Sequence, residues 1–174
     1  MNELQTILSE SVNRLFTDRL SWDAQTRIED EGWPAALWNE VVEQGLHKVL
    51  AAEAEGGMNG IWADAYVVAR ACGRHAVPLP VVEAMLAEWL ARRAGIALPA
   101  GVPGLLDFPL APAALAGGRI TLQDARVPWG HVADYLIGVS AAGELIIASA
   151  AGADIRQSLS NDGLARVARV GWAE

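Results

Sequence analysis

Apolar residues keep helical spacing up to Leu98 and do not return to it afterwards, and this break confines the chain to two segments of different kind. Before it, Leu4, Ile7, Leu8, Val12, Leu15 and Phe16 recur three and four positions apart, the spacing that lines one face of a helix. After it, Pro99, Gly101, Pro103 and Gly104 interrupt the chain, and short apolar runs alternate with Gly, Pro, Asp or Asn. That is the pattern of short antiparallel strands. The expected class is α+β: an N-terminal helical bundle over residues 1–100 and a small antiparallel β domain over residues 101–174.

Within the first segment the spacing predicts a helix over residues 3–17. Residues 18–32 are polar and uneven, and read as a loop or a short turn of helix. Pro34 stands where a helix begins, since its missing donor costs nothing at the first helical position. Leu37, Trp38, Val41 and Val42 form one face, and Gly45 supplies the stop. A loop through Gly56, Gly57 and Gly60 leads to the run 62–72, apolar nearly all round and expected to be buried on several sides, with Gly73 ending it. Pro78 and Pro80 precede a further helix carrying Val81, Val82, Met85, Leu86, Trp89 and Leu90, closed at Gly95. Four such helices cover one another's apolar faces as a bundle.

In the second segment strands are predicted over 104–108, 119–122, 132–139, 144–149 and 165–172. Ala142-Gly143 marks a hairpin turn, because glycine takes the positive φ that tight turns need. No long helix is expected after Pro112.

Charge and cysteine usage exclude several classes of function. With 21 acidic and 13 basic residues the net charge is -8, and Lys48 is the only lysine. A concentrated basic surface for phosphate backbones is missing, so nucleic acid is not an expected partner. The pair Arg92 and Arg93 reads as cations favouring a helix C-terminus, or as a docking point for an anionic ligand. Cys72 is the single cysteine; it permits no internal disulfide, which points to a reducing, cytoplasmic setting, and in its apolar run it reads as a small buried thiol. No apolar run nears the roughly 18 residues that span a bilayer, and no basic leader precedes Glu3. His47, His75 and His131 are far apart in sequence with no ligand-spaced partners, so no metal site is expected. No glycine-rich nucleotide fingerprint and no nucleophile elbow occurs.

The order of motifs carries a family resemblance. Gly45-Leu46-His47-Lys48-Val49, Glu53-Ala54-Glu55-Gly56-Gly57-Met58-Asn59-Gly60 and a helix ending Ala71-Cys72-Gly73-Arg74 before Pro78-Leu79-Pro80 resemble the N-terminal helical domain of acyl-CoA dehydrogenases. Arg126-Val127-Pro128-Trp129-Gly130-His131-Val132-Ala133-Asp134, followed by the apolar run Tyr135 to Val139, is similar to the family's middle β domain, where a strand ends beside the flavin and an Ala-Asp pair follows. The resemblance runs from about Leu37 to Trp172. It implies FAD as cofactor, an acyl-CoA substrate, and a place in fatty acid or lipid metabolism. In that chemistry a carboxylate takes the proton α to the thioester while the β hydrogen leaves as hydride, a step that demands tight positioning.

By the same resemblance the cofactor-binding positions are Leu106, Asp107 and Phe108 on one side and Val127, Pro128 and Trp129 on the other. Both triplets depart from the residue types the family usually places beside the flavin, which puts FAD affinity in question. The family's catalytic glutamate belongs to a C-terminal helical domain, and the chain is expected to end before it. No catalytic residue is therefore assigned, and Glu53, Glu55, Glu83 and Glu88 read as solvated acids of helices and loops. The chain is expected not to be active alone, and to self-associate or bind a partner through apolar surface left open. Three readings stand side by side: a portion of an FAD-dependent acyl-CoA dehydrogenase, a catalytically silent subunit that pairs with a full-length homologue, or an unrelated binding module; a homo-oligomer or a hetero-oligomer with such a homologue is the expected assembly.

Overall fold

Asn2 starts the first helix by satisfying donors that a helix end leaves open. In the computed structural model, which describes residues 2–106, 115–116, 119–120, 125–151, 154–158 and 167–171, the Asn2 Oδ1 accepts from the Gln5 amide at 2.8 Å, and the Gln5 Oε1 accepts from the Asn2 amide at 3.2 Å. This capping box opens α1 (Glu3–Arg19), which buries Leu8, Val12, Leu15 and Phe16. Each such side chain contributes roughly 1.5–3 kcal/mol when fully removed from water.

The chain divides into two units, Met1–Arg92 and Arg93–Glu174. In the first, α2 (Trp22–Glu31) and α3 (Ala35–Glu43) precede two 3-10 turns at Leu46–Lys48 and Glu53–Glu55, and α4 (Trp62–Arg74) and α5 (Val81–Ala94) follow. The spacing predicts four helices; α2 is the addition. It fills the stretch read as a loop or a short turn of helix, and it buries no residue fully, with Trp22 81% exposed. Only Ala24, Gln25 and Ile28 are half-buried, a stripe too short and too polar to stand out in the sequence. Its start is set instead by Ser21, whose Oγ accepts from the Ala24 amide at 3.3 Å, a cap of the kind worth about 1 kcal/mol.

Ser21→Ala should therefore act locally. About 1 kcal/mol corresponds to roughly fivefold faster amide exchange across residues 22–31, with global stability nearly unchanged because α2 buries no residue fully. Hydrogen-exchange mass spectrometry reads this directly, and unchanged exchange in that segment would contradict it.

Helix α4 lies along α1, but it is not buried on several sides as its composition suggested. It buries Asp64, Ala65, Val68 and Ala71, whereas Trp62 and Tyr66 are more than half exposed. The stop also falls later than Gly73: the helix runs to Arg74, His75 caps it, and Ala76 turns out with φ 46°. Asp64 ties the two helices together. Its Oδ2 accepts from the Ile61 amide at 2.8 Å, and its Oδ1 accepts from the Gln5 Nε2 at 3.0 Å and from the Asn2 Nδ2 at 3.4 Å. The Ile61 amide, chiefly, holds this carboxyl below the usual carboxylate range.

The glycine-rich loop between Glu53 and Ile61 folds back on the segment 48–51. The amides of Met58, Asn59 and Gly60 donate to the carbonyls of Lys48, Ala51 and Val49 at 3.2, 2.9 and 2.8 Å. Side-chain groups pin it further: Arg92 donates to the Leu50 carbonyl at 3.0 Å and to the Asn59 Oδ1 at 2.8 Å. Arg92 is thus committed within the fold, neither a simple helix-end cation nor an open anion anchor.

The second unit contains strands only, among its described residues beyond the last turn of α5. These are β1 (Pro103–Leu105), β2 (Leu115–Ala116), β3 (Arg119–Ile120), β4 (Ala125–Pro128), β5 (Tyr135–Val139), β6 (Leu145–Ser149), β7 (Asp154–Ser158) and β8 (Val167–Gly171). Among the described residues three sheets form, in the orders β1-β5-β6, β2-β3 and β4-β8-β7. The α+β architecture is as expected, with one difference: β1 pairs parallel to β5, Pro103 opposite Tyr135 and Leu105 opposite Ile137. The first sheet is therefore mixed. Parallel neighbours need a connection of a dozen residues or more, and the excursion from Leu105 to Tyr135 supplies it. The β5–β6 hairpin turns as expected, with Gly143 at φ 82° and the Ser140 amide donating to the Glu144 carbonyl at 2.9 Å.

The Ala133-Asp134 pair anchors the entry to β1. The Asp134 Oδ2 accepts from the Val102 amide at 2.7 Å, and the Asp134 amide donates to the Val102 carbonyl at 2.9 Å. Ala133 packs against the small core of this unit.

Candidate functional site

Of the six positions proposed to hold a cofactor, Asp107 and Phe108 lie outside the described residues. The structure brings two of the others together: Leu106, just past β1, and Val127, in β4, sit with Leu136 and Ala150 in one apolar cluster. Leu106 is 1% and Val127 0% exposed. Gly104 makes this packing possible, since a Cβ on it would stand 2.7 Å from the Leu136 Cδ2 and 2.9 Å from the Val127 Cγ1. Real Cβ contacts are not that short, so only glycine lets β1 come so close.

Strand β4 pairs antiparallel with β8, Val127 opposite Ala168 and Pro128 opposite Val167, and then turns sharply. Trp129 takes φ 58°, a left-handed conformation that is uncommon for a bulky residue. The Gly130 amide donates to the Val127 carbonyl at 3.1 Å, and the Val132 amide to the Trp129 carbonyl at 3.0 Å. The turn carries Trp129 to 6% exposure, its ring stacked near that of His131 with centroids 6.2 Å apart and planes at 30°.

A flavin needs a flat open surface for its ring system and donors for the carbonyl and nitrogen acceptors along its edge. At this corner the apolar side chains are closed over and three of the amides are in use. The Leu106 amide donates to the Ile137 carbonyl at 2.9 Å, the Gly130 and Val132 amides are taken up within the turn, and Pro128 has no N–H. Val127, Leu106 and Trp129 are turned inward. At the described candidate positions Leu106, Val127 and Trp129 the side chains are covered by the chain's own packing.

The acids do not converge on an alternative centre. Glu53 and Glu55 lie exposed on a 3-10 turn. Burial raises Glu83 and Glu88 above the usual carboxylate range, and Glu88 faces Lys48 with Nζ 3.8 Å away. Among the described residues no group of three His, Cys, Asp or Glu side chains is placed to hold a metal ion, and no helix is long and apolar enough to cross a membrane. The Cys72 thiol is pushed up to about 12 by burial, which leaves it unreactive near neutrality. A cleft of about 360 Å³ in the helical unit lies between α2, the end of α1 and the start of α3. The ion pair of Arg19 and Glu40, at 2.8 Å, lines it.

His47 is strongly perturbed. Packed beside Trp38 with ring centroids 6.2 Å apart, it is lowered to about 4, mainly by burial and then by the neighbouring Lys48 charge. The unfolded chain, with an ordinary histidine near 6.5, binds this proton first as pH falls. Stability should therefore be full above about pH 6.5 and decline toward pH 4, by on the order of 2 kcal/mol after discounting for water at the ring's edge. His47→Phe should flatten this part of the stability profile in urea titrations between pH 7 and 4. A variant as acid-sensitive as the parent would contradict the assignment.

Comparison with known proteins places this geometry. A family model described as acyl-CoA dehydrogenase, N-terminal domain, matches residues 2–96. No curated protein matches the chain. Among solved structures, the ChsE4-ChsE5 complex from Mycobacterium tuberculosis aligns with a TM-score of 0.67 and 15% identity, over 99% of this chain and 54% of that one. The Tcur3481-Tcur3483 steroid ACAD aligns with a TM-score of 0.69 and 20% identity, over 97% and 54%. PigA in its apo form gives 0.71 and 15% over 100% and 55%, and PigA with FAD and proline gives 0.67 and 15% over 99% and 56%. These identities establish a shared fold. The chain spans about half the length of the structures it matches.

Proposed function

This chain belongs to the acyl-CoA dehydrogenase family, and from that premise we propose that it is one component of a flavin-dependent oxidoreductase that α,β-dehydrogenates an acyl-CoA thioester. The observation that carries the reading is that both units, in order, align with those solved structures over 97% or more of the chain. A binding module sharing only the helices would not extend the likeness through the strands.

A second form of the reading, a catalytically silent subunit paired with a full-length homologue, has its own support. Two of the aligned structures are of paired proteins, ChsE4-ChsE5 and Tcur3481-Tcur3483. In this form the helical unit and the β strands of the present chain supply binding surface, and catalytic groups come from the partner.

The test is native purification of a tagged chain from its own source, followed by addition of acyl-CoA thioesters of several lengths under anaerobic conditions. The expected result is a co-purifying complex whose flavin band bleaches with one acyl class. A chain recovered without flavin-bearing company, or a flavin unmoved by every thioester, would defeat the proposal.

A further inference from the structure

Resting on that reading, we infer that the corner Val127-Pro128-Trp129 is closed structural packing, and that the flavin of the assembly is held by another chain. Four features of the corner agree. The Val127 side chain is 0% exposed and closes on β1 at Gly104. Leu106, on the facing segment, is 1% exposed, and its amide is already bonded to Ile137. Pro128 has no N–H to offer, and two of the amides that follow it, Gly130 and Val132, bond back into the turn. Finally, a left-handed tryptophan carries a backbone cost of roughly 1–3 kcal/mol that persists only where surroundings enforce it; here the enforcing element is a buried indole stacked near His131.

A flavin wall asks for the opposite arrangement. Its side chains must be open in the protein that awaits the cofactor, because a planar ligand gains affinity by covering apolar surface and meeting donors not yet in use. Here the apolar surface is covered by the chain itself, the Gly130 and Val132 amides face carbonyls of the same turn, and the Leu106 amide faces Ile137. Opening the corner to admit a ring system would expose the Val127 and Leu106 cluster to water, a loss that opposes any favourable interaction with the ring.

Two measurements decide the matter. In the first, purified chain is titrated with FAD, with circular dichroism confirming that it is folded; the expected result is no saturable binding up to about 0.1 mM. Saturable one-to-one binding would overturn the inference while leaving the proposed function intact. In the second, Pro128→Ala and Trp129→Phe are introduced into the chain and the flavin-bearing complex is purified. Flavin per complex and the shape of its visible band should match the parent for both variants. A flavin content halved or more, or a shifted band, in a complex that still assembles would overturn it. Should no flavin-bearing complex form, the proposed function fails and the FAD titration alone decides the inference.

Discussion

Gly57→Val should destabilise the helical unit by roughly 3 kcal/mol or more, at or beyond the upper end of ordinary overpacking. A Cβ on Gly57 would run into the Ala51 carbonyl oxygen, with the Ala51 Cβ also only 2.6 Å away. The obstacle is backbone, which cannot rotate aside as a long side chain can. Relief would require the loop to lift from residues 48–51, abandoning the bonds from Met58, Asn59 and Gly60 and the grip of Arg92 on Asn59. For a unit of this size the loss corresponds to a melting temperature lower by more than about 10 °C. Gly56→Ala is the control: Gly56 has φ 75° with nothing within 4 Å of an added Cβ, so only left-handed strain of roughly 1 kcal/mol is expected. Thermal melts followed by far-ultraviolet dichroism should separate the two variants. Equal melting points would show that the close approach does not hold the loop.

Leu136→Ala should cost the β unit about 2–5 kcal/mol. Leu136 is 0% exposed in the central strand β5 of the first sheet, and truncation there removes both transfer energy and the contacts around the cavity left behind. Gly104→Ala should be damaging for the opposite reason, since its new methyl would meet the Leu136 Cδ2 at 2.7 Å. Together the two changes should cost less than the sum, because the alanine at 104 takes the space that Leu136 vacates. A coupling of about 0.5–3 kcal/mol is the usual range for residues in contact. Denaturant melts of both single variants and the double variant supply the cycle. Strict additivity would mean that β1 and β5 are not packed as described.

How far the sequence foretold this structure follows from what each signal can carry. The α1 pattern of Leu8, Val12, Leu15 and Phe16 was legible because a helix buried on one face writes its period into the chain. The β5–β6 hairpin was legible because Gly143 marks its own turn. Helix α2 was not, because it buries no residue fully and is marked only at its ends, by Ser21 and Gly32. The exposure of Trp62 and Tyr66 was hidden for the reverse reason: a helix apolar all round does not say which side faces the core. The parallel pairing of β1 with β5 is nonlocal, and no local run of residues encodes it.

The candidate site shows the same division. Resemblance led to Val127, Pro128 and Trp129, and the structure places them at one corner, but the burial of Val127 depends on the packing of β4 against β1 and on the absence of a Cβ at Gly104. Neither is visible in a strand read by itself. Gly57 and Gly60 read as loop punctuation, whereas their role is to admit the backbone of Val49 and Ala51. Asp64, three residues after Ile61 at the start of α4, was an overlooked signal, for an acid at that position commonly reaches back to the helix N-terminus.

The most direct measurement is native mass spectrometry of the purified flavin-bearing complex, with collisional release of single subunits. If this chain is a flavin-free component of an acyl-CoA dehydrogenase assembly, it should leave as the bare polypeptide while FAD stays with the remaining subunits. Release of this chain carrying FAD would contradict that assignment.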